Sequence, residues 1–218
     1  MPVMKEQPPM ADPVALTFAE VEFLLRAGVP AADLVRGRLH LRREANAEVV
    51  AAAGVSSLLA RGLCTQERDD VRPGNLVLGA VAALSTVHTV TEVTGQVDGH
   101  PVVLILFTGD IARLAVVPRF LGQFGVEVTS SVEALSGPLT RFLARASAGT
   151  GEVAVVARST TVDGGERISL AVARDAAGQW YESDTLDSPD RGRAMSHGDV
   201  VRRIGELFGA APVGVAGR

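Results

Sequence analysis

One cysteine, one lysine, one tryptophan and one tyrosine in 218 residues rule out several kinds of chemistry at the start. The lone Cys64 can close no internal disulfide, which suits a reducing compartment. No His or Asn motif stands beside it, so a small buried filler is a simpler reading than a nucleophile. Lys5 is the only lysine, and the 21 basic residues are outnumbered by 25 Asp and Glu, for a formal net charge of −4. Nucleic-acid binding usually rests on a basic stripe that neutralises phosphates, and a net acidic chain is poorly suited to it. The densest basic spots are Arg36 and Arg38 with Arg42-Arg43, Arg191 with Arg193, and Arg202-Arg203. Acids interrupt each of them (Asp33, Glu44, Asp187, Asp190, Glu206), and they read as solvated surface.

Long apolar runs are missing as well. The longest, Pro101–Phe107, is far short of the roughly 18 to 20 residues of a spanning helix, so no membrane insertion is expected. Aromatics are scarce, with Phe 7, Trp 1 and Tyr 1, and the core must be filled by Val, Leu and Ala. A 47% apolar content with mean hydropathy +0.23 is nonetheless ample for a real core and excludes disorder.

Catalytic and cofactor signatures are absent in the same way. There is no GxGxxG, GxxxxGK[ST] or GxSxG, and the glycines at Gly151, Gly164 and Gly165 sit where turns want them. His40, His88, His100 and His197 fall in separate elements with no metal-ligand spacing, so neither metal nor cofactor is expected. Ser183-Asp184-Thr185 with Asp187, Asp190 and His197 is the best place for acid/base chemistry, but it lacks a positioned nucleophile and reads more simply as a polar loop. The chain is not expected to be an enzyme.

What is present is a pattern of helices and hairpins. Residues 1–14, with Pro2, Pro8, Pro9 and Pro13 and no secretory signal pattern, read as a flexible arm, and 211–218 as a frayed tail. Between them, 15–210 reads as a single α+β domain with a subdivision into 15–146 and 147–210. Thr17-Phe-Ala-Glu20 is a capping box opening a helix to Ala27, ended by Gly28. Residues 31–41 fit a short helix passing into a strand. Arg43–Leu63 predicts a second helix with Gly62 past its end and Gly54 inside it. A charged loop at 66–70 leads to Pro73 as a first-turn proline, with Asn75–Leu84 helical and strand as the alternative.

From Thr86 the period changes to two. His88–Val97, the turn Asp98-Gly99 and Pro101–Phe107 predict a hairpin. Thr108-Gly109-Asp110 reads as a second tight turn, Ile111–Val117 as the returning strand, and Phe120–Phe124 as a short helical turn closed by Gly125. Ser131–Ala146 is expected to be helical. A second meander follows as Glu152–Ser159, Arg167–Ala173 and Gln179–Asp184, and a helix from about Asp199 to Phe208 closes the chain. Two antiparallel meanders of about three strands each, with flanking helices, predict an α+β fold with quasi-duplicated halves rather than a βαβ repeat.

Several of these features occur together in one family. The Ala-Arg-Gly-Leu at Ala60–Leu63, the proline-led helix at 73–84, the long hairpin, and the run Val162-Asp-Gly-Gly followed by ERISLAVARDAAGQWYESD before a closing helix resemble the actinobacterial EspG-like chaperones of type VII (ESX) secretion. The resemblance implies a cytoplasmic, non-enzymatic chaperone that masks the apolar tip of a helical PE/PPE-type substrate. Its expected contacts are Val103, Ile105 and Phe107 on the hairpin, the loop Thr108-Gly109-Asp110, and Leu207 and Phe208 on the last helix. Plain core packing is the simpler reading for each apolar position taken singly. A small-molecule-binding regulatory domain, an uncharacterised enzyme, or a docking subunit of another actinobacterial assembly stay open as alternatives, as does the choice between monomer and homodimer.

Overall fold

The computed structural model describes residues 14–42, 47–68, 70–97, 99–130, 152–183, 192–200 and 202–203. The predicted helix at 131–146, most of the closing helix beyond Arg203 and the acidic loop 184–191 lie outside the described residues. The fold is mixed α+β, as the sequence predicts.

The capping box forms as read. Thr17 Oγ1 accepts from the Glu20 N–H at 3.3 Å and Glu20 Oε2 accepts from the Thr17 N–H at 2.7 Å, opening α1 (Phe18–Arg26). A short α2 (Ala32–Arg38) follows, with no strand behind it. Then comes α3 (Ala47–Ala60), which ends at Gly62 in the left-handed region (φ 67). There the Leu63 N–H reaches the Leu58 carbonyl and the Gly62 N–H the Leu59 carbonyl, the bonding of a Schellman end.

Two expectations are corrected here, and one open choice is settled. The charged loop at 66–70 is a small hairpin, β2 (Cys64–Glu67) and β3 (Asp70–Pro73). Pro73 closes β3 instead of starting a helix, and Gly74 caps α4 (Asn75–Ser85). The strand alternative for α4 is not taken, because its buried positions Val77, Ala80, Ala83 and Leu84 recur at three and four residues.

Among the described residues, nine strands form one antiparallel sheet. Its members are β1 (Val14–Thr17), β4 (Val87–Val97), β5 (His100–Gly109), β6 (Ala112–Pro118), β7 (Gln123–Ser130), β8 (Val153–Thr161), β9 (Glu166–Arg174), β10 (Trp180–Ser183) and β11 (Arg193–Met195). Their order is β1-β7-β6-β5-β4-β8-β9-β10-β11. The predicted hairpin is present, with Val97 opposite His100 and Gly99 at φ 75. Each meander has four strands, since β7 and β11 were not foreseen. The Phe120–Phe124 turn is a three-residue 3-10 segment, Phe120–Gly122, and Phe124 and Gly125 already belong to β7. The second turn falls at Asp110-Ile111, one step later than Thr108-Gly109-Asp110. Outward from the β4–β8 pair the strands follow chain order, to β7 on one side and to β11 on the other, with β1 added beyond β7, and the two meanders join along that pair.

The sheet has a core on each face. On β5, Ile105 and Phe107 point to the side covered by α1, α3 and α4, while Leu104 and Leu106 point to the other side, with Val93, Val155, Trp180 and Val200. The two meanders run in the same strand order, while the described helices beside them lie on opposite faces. Glu20 ties the helical side together although its own exposure is 0%. Arg61 Nη1 donates to both its oxygens (2.9 and 2.8 Å) and Ser57 Oγ donates at 2.8 Å, so β1, α1 and α3 converge on one carboxylate. Charge-assisted bonds of this kind are worth about 1.5–3 kcal/mol each in net terms.

Helices α1 and α3 approach closely because residue 54 is glycine, where an added Cβ would collide with the Ala19 carbonyl; Gly37 in α2 faces open space. Replacing Gly54 by Ala is expected to destabilise the fold by about 1–3 kcal/mol, even though alanine favours a helix. Gly37→Ala is expected to be neutral or to stabilise by up to about 1 kcal/mol. Urea unfolding of the two variants beside the parent chain checks both signs.

Candidate functional site

Strand pairing decides which predicted contact residues share a surface. Val103, Ile105 and Phe107 alternate onto one face of β5, as period two requires. Ile105 is 1% and Phe107 0% exposed, packed under the helices against Val77, Ala80 and Leu84, whereas Val103 is 37% exposed. The first two are core, and only Val103 of the three reaches solvent. The predicted exposed loop is corrected in the same way. Thr108 and Gly109 are buried at the end of β5, and of that trio only Asp110 is exposed, with a carboxylate oxygen 3.7 Å from His88 Nε2. Leu207 and Phe208 lie outside the described residues.

Around Val103 the register assembles a surface that the sequence reading did not find. Thr94 is paired with Val103 on one side and Val156 on the other, and Val156 is paired with Ala171. One row further toward the Asp98-Gly99 end, Gln96 lies between Pro101 and Ala154. Thr94, Gln96, Pro101 and Val103 are exposed, and Ala154, Val156 and Ala171 are half-buried. Helix α4 lies over β5, β6 and β7 and leaves this end of the face to solvent. The surface is therefore a sheet face of mostly small and β-branched side chains that spans four strands, β5, β4, β8 and β9.

Its rim is charged. Arg38 reaches down from α2 to Glu92 Oε2 on β4 (2.9 Å) and to Thr160 Oγ1 on β8 (3.1 Å), and Arg158 stands exposed beside them. Arg36 forms a fork with Glu22, with Nε to Oε1 at 3.0 Å and Nη2 to Oε2 at 2.9 Å. The basic spot at 36–38 is thus committed to ion pairs that hold α2 against α1 and the sheet. Arg202 and Arg203 are paired likewise with Asp199 (3.1 Å) and Glu182 (2.7 Å).

A second exposed apolar feature escaped the sequence reading. Phe120 and Leu121, at the tip between β6 and β7, are 94% and 96% exposed, and Leu121 sits in the left-handed region at φ 60. An aromatic followed by a leucine between two strands was the available signal, but it matched a helical turn equally well.

The acid/base cluster does not assemble among the described residues. Ser183 ends β10, while His197 stands beside Trp180 at the start of that strand, with ring centroids 6.2 Å apart. Three residues of strand separate Ser183 from that end by about 10 Å. The two nearby described aspartates serve turns. Asp175 is held below the usual carboxylate range first by the Gln179 N–H and also by the Tyr181 hydroxyl, and Asp199 chiefly by the Ser196 hydroxyl. Among the described residues there is no group of three or more potential metal ligands, and no helix is long and apolar enough to cross a membrane. Neither a scan against protein-family models nor a search of curated proteins finds a match to this chain.

Two outcomes follow from this geometry. Val103→Arg and Val156→Arg should leave stability within about 0.5 kcal/mol of the parent, as surface changes do, whereas Phe107→Ala should cost about 3–5 kcal/mol in chemical denaturation. The Asp175 turn should be intact above pH 3.8, the ordinary aspartate value, and loosen as pH falls through the lowered one. Amide exchange over 175–181, corrected for intrinsic rate, should show that loss of protection, and Asp175→Asn should remove its pH dependence.

Proposed function

We propose that this chain is a non-enzymatic chaperone that docks the apolar tip of a helical PE/PPE-type substrate of type VII secretion and keeps it soluble in the cytoplasm. The observation that carries the reading is the sheet face of exposed Val103 and Thr94 with half-buried Val156, bordered by Arg38, Glu92 and Arg158. An apolar centre with a polar rim is the anatomy of a protein interface, and a flat face of small side chains accepts an amphipathic helical hairpin without rearrangement. The likeness of the sequence to EspG-like chaperones supplies the class of partner. Masking such a surface needs apolar contact and no reactive side chain.

Co-expression with a PE/PPE-type heterodimer followed by size-exclusion chromatography tests the reading. A stable co-eluting complex is expected, and Val103→Arg together with Val156→Arg should weaken it by at least tenfold while the variant stays folded. Failure to co-elute with any such heterodimer from the same genome, or binding unaffected by the double variant, would overturn it.

A further inference from the structure

At the end of the sheet where β6 turns into β7, six consecutive residues, Pro118 to Gln123, are exposed. Phe120 and Leu121 in the middle of that turn are 94% and 96% exposed, so both side chains stand clear of the protein. We infer that this tip is a contact site for an anionic lipid surface, with Phe120 and Leu121 entering the boundary between headgroups and acyl chains and Arg119 meeting a lipid phosphate.

The turn is built to project these two side chains. Strand pairing stops at Pro118 with Phe124 and, on the outer side, at Thr17 with Gln123, so Phe120, Leu121 and Gly122 lie beyond the last paired residues. The Arg119 N–H donates to the Gln123 carbonyl at 2.8 Å and the Gln123 N–H to the Phe120 carbonyl, which closes the turn on itself. Phe18, at the start of α1, backs the turn, its Cβ 3.7 Å from where a Gly122 Cβ would stand. Leu121 and Gly122 both take left-handed backbone, at φ 60 and φ 67. Glycine does so freely, whereas leucine does so at a steric cost that no packing of its exposed side chain within the chain repays.

The surroundings of the tip select the partner. Arg119 is exposed, and among the described residues its side chain has no hydrogen bond or ion pair, so the guanidinium is available. It lies along β7 beside Gly125, where an added Cβ would stand 2.9 Å from Arg119 Nε. Gly125 is two residues up the strand from Gln123, about 7 Å, which puts the charge at headgroup depth when the tip enters the roughly 5–10 Å of an interfacial contact. No acid occurs between Ile111 and Val126, and Glu20, across β1, is buried and paired with Arg61. A formal net charge of −4 opposes adsorption of the chain as a whole, so binding must come through a local feature of this kind. The two apolar side chains would offer a protein partner roughly 300–400 Å², against about 800 Å² per partner in a stable interface. A fluid bilayer needs no complementary pocket, and anionic headgroups add attraction for the arginine.

Co-sedimentation of the full chain with vesicles of equimolar phosphatidylcholine and phosphatidylglycerol tests the assignment. A single myristoyl chain half-binds at about 0.1 mM lipid, and the two side chains should do so at a higher level, within about 5 mM. Phe120→Ser together with Leu121→Ser should weaken binding at least tenfold, while urea unfolding matches the parent because neither side chain packs on the fold. Arg119→Gln should cost about fivefold on these vesicles and nothing on phosphatidylcholine alone. Phe120→Trp should add an emission that shifts to the blue when vesicles are present, against the constant background of the buried Trp180. No sedimentation of the parent, sedimentation undiminished by the double serine variant, no effect of Arg119→Gln on the mixed vesicles, or no blue shift from Phe120→Trp would overturn the inference. So would a chain that ignores vesicles yet loses its complex with a PE/PPE-type heterodimer on the serine substitutions, which would make the tip a protein contact. The chaperone reading rests on Val103 and Val156 and is read by co-elution without lipid, so each can fail while the other stands.

Discussion

The antiparallel ladder between β4 and β8 is the interaction on which the rest of the architecture depends. Nine residue pairs, from Thr89 with Thr161 to Val97 with Val153, make one sheet of two meanders that would otherwise each carry an open edge. Gly95 belongs to that contact, because an added Cβ would strike the Ala154 carbonyl and force the strands apart. Once the ladder is closed, the edges among the described residues are the four-residue β1 and the three-residue β11, both short enough to discourage pairing with other chains.

Joining the meanders also creates unequal faces. The helices α1, α3 and α4 pack over the half built from β1, β7, β6 and β5, anchored by the buried Glu20 carboxylate and the close approach at Gly54. They do not extend over the β4–β8 seam near Val103. There Arg38 reaches the sheet, and its bonds to Glu92 and Thr160 span the seam and tie α2 to both meanders. The candidate surface is thus what the sheet presents where its helical cover ends, and a chain without that seam would have no such surface.

Local chemistry was legible where one or two residues suffice to specify a conformation. The Thr17–Glu20 capping box, Gly62 beyond α3 and the hairpin at Gly99 each state their geometry in a few side chains, and each forms as read. Reading failed where the determinant was a partner distant in sequence. Val14–Thr17 is a strand because it pairs with Gln123–Val126, more than a hundred residues away, and no local pattern in a proline-rich segment announces that. β7 was hidden for the same reason, since Phe120 to Gly125 has helical spacing until Phe124 is paired with Pro118 and Leu16. The charged strands β2 and β3 lacked the apolar alternation by which strands are recognised.

By itself, then, the sequence determined the inventory: an Arg-rich, lysine-poor, acidic chain with an aliphatic core, capped helices and tight hairpins whose strands alternate. Alternation put Val103, Ile105 and Phe107 on one face, because a strand's side chains can point only two ways. It could not say which of the three a helix would cover, nor that Val156 and Thr94 would stand beside the one left in the open. Those outcomes depend on where α4 stops along β5 and on the register of β4 against β8. Both are settled by contacts between separate segments, of which β4 and β8 lie about 65 residues apart, so only the tertiary structure decided them.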